Sequence, residues 1–254
     1  MVNGLVSIIM PSWNTGAFIA ESIQSVINQT YRQWELIIVD DCSTDNTDEV
    51  VSTFNDDRIK YLKNEKNSGA ALTRNKAIRE AKGEWIAFLD SDDLWQPEKL
   101  EKQLGFMNKN GYVFSYHEYE KIDEDSNPLN AYVSGPDVVD KRKMYNYGYP
   151  GCLTFMYSMK YFGLIQIKDI KKNNDYAILL KLCKHADCYL LKENLAKYRI
   201  RKKSISHDKI MKKLKSHYDL FHLCDEKEVP VAFWYASWNM VYGTLKKKRY
   251  EKNK

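Results

Sequence analysis

The chain has 254 residues, 44% hydrophobic and 29% charged, which excludes a disordered or fibrous protein and fits one large α/β unit. Its 11 glycines and 6 prolines leave no long flexible linker, and no run approaches the roughly 18 apolar residues that a membrane span requires. The net charge of +5 gathers in Lys202-Lys203, Lys212-Lys213-Lys215 and Lys246-Lys247-Lys248-Arg249. These runs lack the aromatic interleaving of a nucleic-acid surface, so no nucleic-acid partner is expected. Two readings of them stay open: a solvated helix face, or contact with an anionic membrane surface.

The five cysteines (Cys42, Cys152, Cys183, Cys188, Cys224) are odd in number and scattered, without a CxxC pair. Neither a zinc site nor a disulfide framework is indicated. The first residues run straight into a strand-like segment, with no basic n-region or cleavage site. The expected location is cytoplasmic, with the basic runs leaving room for peripheral attachment to the inner face of the membrane.

In chain order, residues 5–10 are a short apolar run ending at Pro11, as a buried parallel strand would be. Phe18, Ile19, Ile23, Val26 and Ile27 share one helical face. Residues 34–39 are a second buried strand, stopped by Asp40-Asp41; Ser43, Thr44 and Asp45 offer N-caps for a helix through Val50 and Phe54. Residues 59–62 make a third strand, 70–81 a helix closed by Gly83, and 85–89 a fourth strand. This βαβαβαβ order implies a mostly parallel sheet flanked by helices on both faces. Beyond Pro97 the pattern predicts a helix over 98–107, a strand over 112–119 and long loops over 123–149. A helix over 175–184 and an extended stretch over 189–200 follow, then two amphipathic helices from residue 208, broken near Pro230.

Open parallel sheets bind ligands at the carboxyl ends of their strands. Three polar clusters fall there: Pro11-Ser12-Trp13-Asn14, Asp40-Asp41-Cys42-Ser43-Thr44-Asp45 and Asp90-Ser91-Asp92-Asp93. Each alone also reads as turn and cap chemistry, but the three converge on one edge. In extended backbone Asp90 and Asp92 point to the same side, about 6.5 Å apart along the chain. Two such carboxylates can share one magnesium or manganese ion, which keeps waters and takes substrate phosphates as its other ligands. No glycine-rich loop is present to cradle phosphate. A divalent metal on Asp90 and Asp92 must then neutralise much of the diphosphate, which points to a nucleotide-sugar site.

Five ordered blocks carry a resemblance. They are Val6-Ser7-Ile8-Ile9-Met10-Pro11-Ser12-Trp13-Asn14, Ser25-Val26-Ile27-Asn28-Gln29-Thr30-Tyr31, Glu35-Leu36-Ile37-Ile38-Val39-Asp40-Asp41-Cys42-Ser43-Thr44-Asp45, Asn67-Ser68-Gly69 with Ala71, Arg74-Asn75 and Ala77, and Gly83-Glu84-Trp85-Ile86-Ala87-Phe88-Leu89-Asp90-Ser91-Asp92-Asp93. The chain resembles the family 2 glycosyltransferases of the GT-A fold over roughly residues 5–205. The resemblance implies a transferase domain over 1–205, with a nucleotide-binding half (1–95) and an acceptor half (96–205). A C-terminal helical extension covers 206–254.

It also implies roles. Pro11 and Asn14 would line the nucleoside pocket, Asp41 with Asp40 beside it would bind the base, and Arg74 would lie near the nucleotide. Asp90 and Asp92, with Ser91 between them, would contact ribose and metal. Asn174-Asp175-Tyr176-Ala177-Ile178-Leu179 resembles the block that bears the catalytic base, which makes Asp175 the base. Two departures stand out. Trp13 replaces the usual Tyr, so it stacks but donates no hydroxyl. Arg201 takes the place of a metal-binding His and suits direct binding of the diphosphate, while His207, a little later, reads as a surface histidine beside Asp208 or, less favoured, as a metal ligand.

The implied reaction is an inverting displacement from a nucleoside-diphosphate sugar, UDP by expectation, to an acceptor hydroxyl. By family analogy the setting is bacterial surface-polysaccharide assembly on a glycan or lipid-linked acceptor. The rival is a non-catalytic relative that binds nucleotide or glycan as a partner subunit. The aromatic stretch from Tyr145 through Cys152 to Met156 reads either as the acceptor side or as core.

Overall fold

The computed structural model describes residues 1–201 and 210–253. Strands β1 (Val2–Ser12), β2 (Trp34–Asp40) and β3 (Ile59–Lys63) alternate with helices α1 (Ile19–Ile27), α2 (Thr47–Ser52) and α3 (Gly69–Glu80) before β4 (Gly83–Phe88). These four strands are parallel in the order β4-β1-β2-β3, with Ser12 opposite Asp40 and Ile9 opposite Phe88. Because the chain leaves β1 in one direction for β2 and returns on its other side as β4, a crevice opens at the carboxyl ends of β1 and β4.

Continuous apolar strands are explained by burial on both faces. Ile9, Ile37, Val39, Ile86 and Phe88 point into one core, shared with α3 and the later helices. Val6, Ile8, Met10, Leu36, Ile38, Trp85 and Ala87 point into the other, shared with α1. The period-2 alternation of side chains divides each strand between the two cores.

The second half continues the sheet with mixed pairing. It comprises β5 (Leu94–Trp95), α4 (Lys99–Asn110), β6 (Phe114–Ile122), β7 (Pro128–Val133), β8 (Val138–Val139), α5 (Lys141–Asn146), β9 (Met156–Ser158) and α6 (Met159–Phe162). Helix α7 (Asn174–Leu182) and strand β10 (Cys188–Arg199) follow, then α8 (Ile210–Asp219), α9 (Val229–Tyr250) and β11 (Glu251–Asn253). β9 runs antiparallel between β4 and β6, and β6 also pairs with β10 in parallel.

Three expectations need correction. Residues 123–149 are not long loops: β7, β8 and α5 lie there. Their short, polar and aromatic segments hide pairing that is set by distant partners, β7 with β6 and β11, and β8 with β10. The cap of α2 is Asn46 rather than Ser43, Thr44 or Asp45, and it makes no side-chain cap bond. Asp45 instead accepts from the Thr47 amide at 3.0 Å and the Gly16 amide at 3.0 Å, lacing two loops together. The break in the C-terminal helices precedes Pro230. A π-helical turn at Leu220–Cys224 ends α8, and Pro230 sits in the first turn of α9, where its missing N–H is harmless.

Gly83 opens β4 beside β1, donating its amide to Ser7 Oγ at 2.8 Å. A Cβ there would lie 2.6 Å from the Leu5 carbonyl oxygen and 2.8 Å from the Ser7 amide nitrogen, both backbone atoms that cannot swing away. Gly83→Ala should therefore destabilise the fold by about 1–3 kcal/mol, the usual penalty of overpacking. Urea denaturation checks this; an unchanged midpoint would mean that the two strands can part without loss.

Candidate active site

The three polar clusters do meet at one sheet edge, but their side chains divide between binding the loops and facing the crevice. Asn14 has left-handed backbone (φ 50°) and takes the Thr44 amide on Oδ1 at 2.8 Å, while its own amide donates to Ser43 Oγ at 2.8 Å. Asp40 accepts from the Ser43 amide at 2.9 Å and from the Ser43 hydroxyl, closing its own turn. Asp41 is buried and accepts from Asn64 Nδ2 (2.8 Å), the Ser68 amide (2.7 Å) and the Gly69 amide (2.7 Å). It thus ties the β3–α3 loop and the start of α3 to the end of β2. Ser91 accepts from Thr15 Oγ1 at 3.0 Å, joining the β4 turn to the β1 loop. Pro11 closes β1 from within the strand, and Trp13 is half exposed at the mouth.

Arg74 projects from α3 into the crevice and is almost fully buried. Its guanidinium binds Asp90 through Nη2 and Asn174 Oδ1 through Nη1, and Nη2 lies 3.5 Å from Cys152 Sγ. Burial opposes the charge, but Asp90 foremost, then Cys152 and Asp175, outweighs it and raises the Arg74 pKa. The arginine remains a cation.

Asp90 to Asp93 form a tight turn, with the Asp93 amide donating to the Asp90 carbonyl at 3.0 Å. Asp92 pairs with Arg201 Nε at 2.8 Å. Asp93 is buried, accepts the Arg199 amide on Oδ1 at 2.9 Å and leaves Oδ2 without a partner among the described residues. Burial raises the proton affinity of Asp92 and of Asp93, and the neighbouring carboxylates add to it. The Asp90 and Asp92 carboxylates are hard oxygen donors of the kind a divalent cation takes, and each is paired with an arginine, Arg74 or Arg201. Among the described residues no group of three His, Cys, Asp or Glu could hold a metal; His207 lies outside them.

Asp175 stands in the first turn of α7, which begins after Asn173 in left-handed conformation (φ 58°). Burial raises its pKa, and Arg74 and the Tyr176 amide only partly offset this. A carboxylate so placed is a stronger base than a free one. It lines a pocket of about 200 Å³ together with Tyr147, Gly148, Pro150, Tyr176 and Asn173. The aromatic stretch divides: Tyr147 lines the pocket, whereas Tyr145, Tyr149, Phe155 and Met156 are buried in the cores.

Cys152, Asn174 and Arg199 belong to the site's framework without having been singled out as site residues. Arg199 is buried and donates to the Asp92 carbonyl (2.7 Å), the Glu124 carbonyl (2.9 Å) and Glu21 (2.8 Å). A cation closing the extended stretch 189–200, two residues before Arg201, was the cue to it.

The Glycosyl transferase family 2 model matches residues 7–165. WfgD of Escherichia coli, a UDP-Glc:alpha-D-GlcNAc-diphosphoundecaprenol beta-1,3-glucosyltransferase, is 39% identical over 97% of this chain and 96% of its own length. TuaG of Bacillus subtilis (strain 168), a glycosyltransferase assigned provisionally to teichuronic acid biosynthesis, is 41% identical over 81% of this chain and 82% of its own. The crystal structure of S. aureus TarS 1-349 with UDP-GlcNAc superposes with a TM-score of 0.73, at 20% identity, over 96% of this chain and 74% of that one. A Pyrobaculum calidifontis mannosyltransferase with GDP-Man and Mn2+ gives a TM-score of 0.66, at 17% identity, over 94% of this chain and 75% of that one.

Removing Arg74 would leave Asp90 and Asn174 without their shared donor. Arg74→Gln should lower stability by roughly 3–5 kcal/mol, as expected when one partner of a buried ion pair is lost. Chemical denaturation measures it; a loss below about 1 kcal/mol would show that water replaces the guanidinium. With residues 7–165 matching the family model and relatives aligned over most of their length, the chain belongs to glycosyltransferase family 2, with the GT-A fold.

Proposed function

We propose that the chain transfers a sugar from a UDP-sugar to a hydroxyl of a lipid-linked glycan, with inversion at the anomeric carbon. The observation that carries this reading is that Arg74 ties the Asp90 turn to Asn174, which opens the helix whose next residue, Asp175, lines the pocket. Pro11, Trp13, Asn14, Asp40, Asp41, Arg74, Asp90, Ser91, Asp92 and Arg201 make up the donor side. Trp13 stacks on the base, and Asn14, Asp40, Asp41 and Ser91 act through the loops they hold. Residues 1–95 then form the donor half, 96–205 the acceptor half and 206–254 the extension.

Asp90 and Asp92 are the residues that would hold a Mn2+ or Mg2+ ion. When bound, the metal neutralises the diphosphate and stabilises it as a leaving group. Arg74 holds the Asp90 carboxylate in place through an ion pair, and Arg201 offers a planar cation to the diphosphate. Asp175 accepts the proton of the acceptor hydroxyl as that oxygen bonds to the anomeric carbon. The bond from that carbon to the diphosphate oxygen breaks with its electron pair, and UDP leaves. One displacement gives inversion.

Asp175→Asn keeps shape but cannot take the proton, so turnover should fall by roughly 10²–10⁴-fold while UDP affinity barely moves. Asp92→Asn should weaken metal-dependent UDP binding as well as turnover. UDP release with acceptor and calorimetry with UDP, each with and without manganese, compare the two. Turnover of Asp175→Asn at the wild-type rate overturns the base assignment, and a wild type that binds UDP but never releases it from UDP-sugar favours the non-catalytic reading. Because its pKa is raised, Asp175 is lost as a base when pH falls through a value above the ordinary aspartate range of about 3.9. The acid limb of kcat/KM should lie correspondingly high and vanish in the residual activity of Asp175→Asn.

No helix among the described residues is long and apolar enough to cross a membrane. The outer face of α9 supports contact with a membrane surface instead. Between Glu228 and Lys246 the helix carries no charge, and Phe233, Trp234, Trp238, Val241 and Leu245 are exposed. The Trp234 and Trp238 rings stack at 5.9 Å, and Lys248 and Arg249 lie exposed one turn beyond, with Lys212, Lys213 and Lys215 exposed on α8. Aromatic residues beside cations suit the headgroup region, and each basic residue near anionic lipid contributes about 1 kcal/mol. Sedimentation with phosphatidylglycerol vesicles should exceed that with phosphatidylcholine and decline with salt, and Trp234→Ser with Trp238→Ser should weaken it. Equal sedimentation with both lipids at low salt would leave the basic runs as a solvated face.

A further inference from the structure

The pocket that Asp175 lines is not made by the transferase domain alone. Its remaining wall is His217, from α8 of the C-terminal extension. His217 is largely withdrawn from water, and its Nδ1 has no hydrogen-bond partner among the described residues. Buried polar nitrogens without partners are uncommon, and one that faces a cavity beside a base is placed for a ligand.

Its position is anchored from two sides. One residue earlier, Ser216 Oγ accepts from Asn173 Nδ2 at 3.3 Å, and Asn173 both caps α7 and lines the same pocket. One turn later, Phe221 is fully buried, with its ring edge-on to Tyr176 at 6.2 Å. Residues four apart share a helical face, so the packing of Phe221 on Tyr176 directs His217 to Asp175, the neighbour of Tyr176. Phe221 itself lies in the π-helical turn at Leu220–Cys224, and such turns recur at functional sites.

We infer that His217 binds the acceptor: its imidazole holds a hydroxyl of the acceptor sugar next to the one that Asp175 deprotonates, so the C-terminal extension is part of the acceptor site. The inference rests on the glycosyl-transfer reading above. Burial, reinforced by Lys213, pushes the His217 pKa down to about 4, so the ring is neutral at physiological pH. A neutral imidazole has one nitrogen that donates and one that accepts, which suits a sugar hydroxyl better than a phosphate. Tyr147 adds an aromatic face, and burial and then Asp175 raise the pKa of its hydroxyl, keeping it protonated as a donor.

The test uses the full chain, UDP-glucose, and a synthetic N-acetylglucosaminyl diphosphate with a short alkyl tail as acceptor probe. His217→Ala should raise the dissociation constant of the probe, measured calorimetrically with UDP present, by roughly five- to a hundredfold, the range for a lost buried hydrogen bond. UDP affinity should stay at the wild-type value, which a misfolded or loosened protein would not maintain. His217→Asn, whose amide reaches the region of Nδ1, should recover most of the affinity. Ring resonances of His217 should also shift on adding the probe and not on adding UDP alone. Unchanged probe affinity in His217→Ala overturns the inference. A wild type that binds the probe through His217 yet forms no product leaves the acceptor site standing and overturns the transfer reading instead.

Discussion

The buried guanidinium of Arg74 is the constraint around which the site is built. It comes from α3, on the donor half, and it holds Asp90 from the β4 turn and Asn174 from the first turn of α7. These segments lie far apart in sequence, and they carry the candidate metal ligand and the candidate base. One rigid planar fork with several fixed donors can set both positions at once, which a lysine could not do. Taking that charge out of water is costly, and only the surrounding carboxylates make it tolerable. Arg74 pairs directly with Asp90, while Asp175, hydrogen-bonded to none of its nitrogens, remains more basic than a free aspartate.

The polar side chains around this centre do two different kinds of work. Asp41 takes three donors from the β3–α3 loop, Asp40 and Asn14 close the turns beside it, and Asp45 laces the β1 loop to α2. These groups make loop backbone as rigid as a strand, so a ligand meets preformed walls. Asp90, Asp92, Trp13 and Asp175 are left facing the crevice or the pocket. A motif rich in aspartate is thus mostly architecture, with a few members reserved for chemistry.

That division explains what could be read in the sequence. The parallel strands were legible because runs such as 36–39 are apolar throughout and end in polar residues, a pattern that two-sided burial produces. The three clusters were legible as a site because the topology sends all their strand ends to one edge. What each aspartate does was not legible, since Asp41 and Asp90 look alike until their partners are known, and those partners are 27 and 16 residues away. The strands β7 and β8 were missed for the same reason. Each is short, and its pairing with β6, β10 or β11 is a property of the assembled sheet. Cys152 was legible only as a member of the aromatic stretch, and Arg199 only as a cation at the end of an extended segment.

The C-terminal extension is more than an appendage, and its attachment shows why. After α9 the chain returns to the sheet as β11, pairing with β7, which would otherwise present an open edge. Lys121 of β6 and Glu251 of β11 form an ion pair across that edge. Asn239 in the middle of α9 donates to the Tyr145 carbonyl at 2.8 Å, and Tyr145 in turn donates to Asp225 at 2.7 Å. The extension is therefore tied to the rest of the fold at Asp225, at Asn239 and along β11. Helix α9, about 33 Å long at 1.5 Å per residue, presents buried Ala232, Ala236 and Asn239 inward and its aromatic face outward. Its partner α8 brings His217 to the pocket. The apolar outer face and the pocket wall are thus two surfaces of one helical pair locked to the sheet. A lipid anchor resting on the first would hold its sugar at a fixed offset from the second, so the geometry of the pair, rather than any flexible tether, would set how far the reacting hydroxyl stands from the membrane.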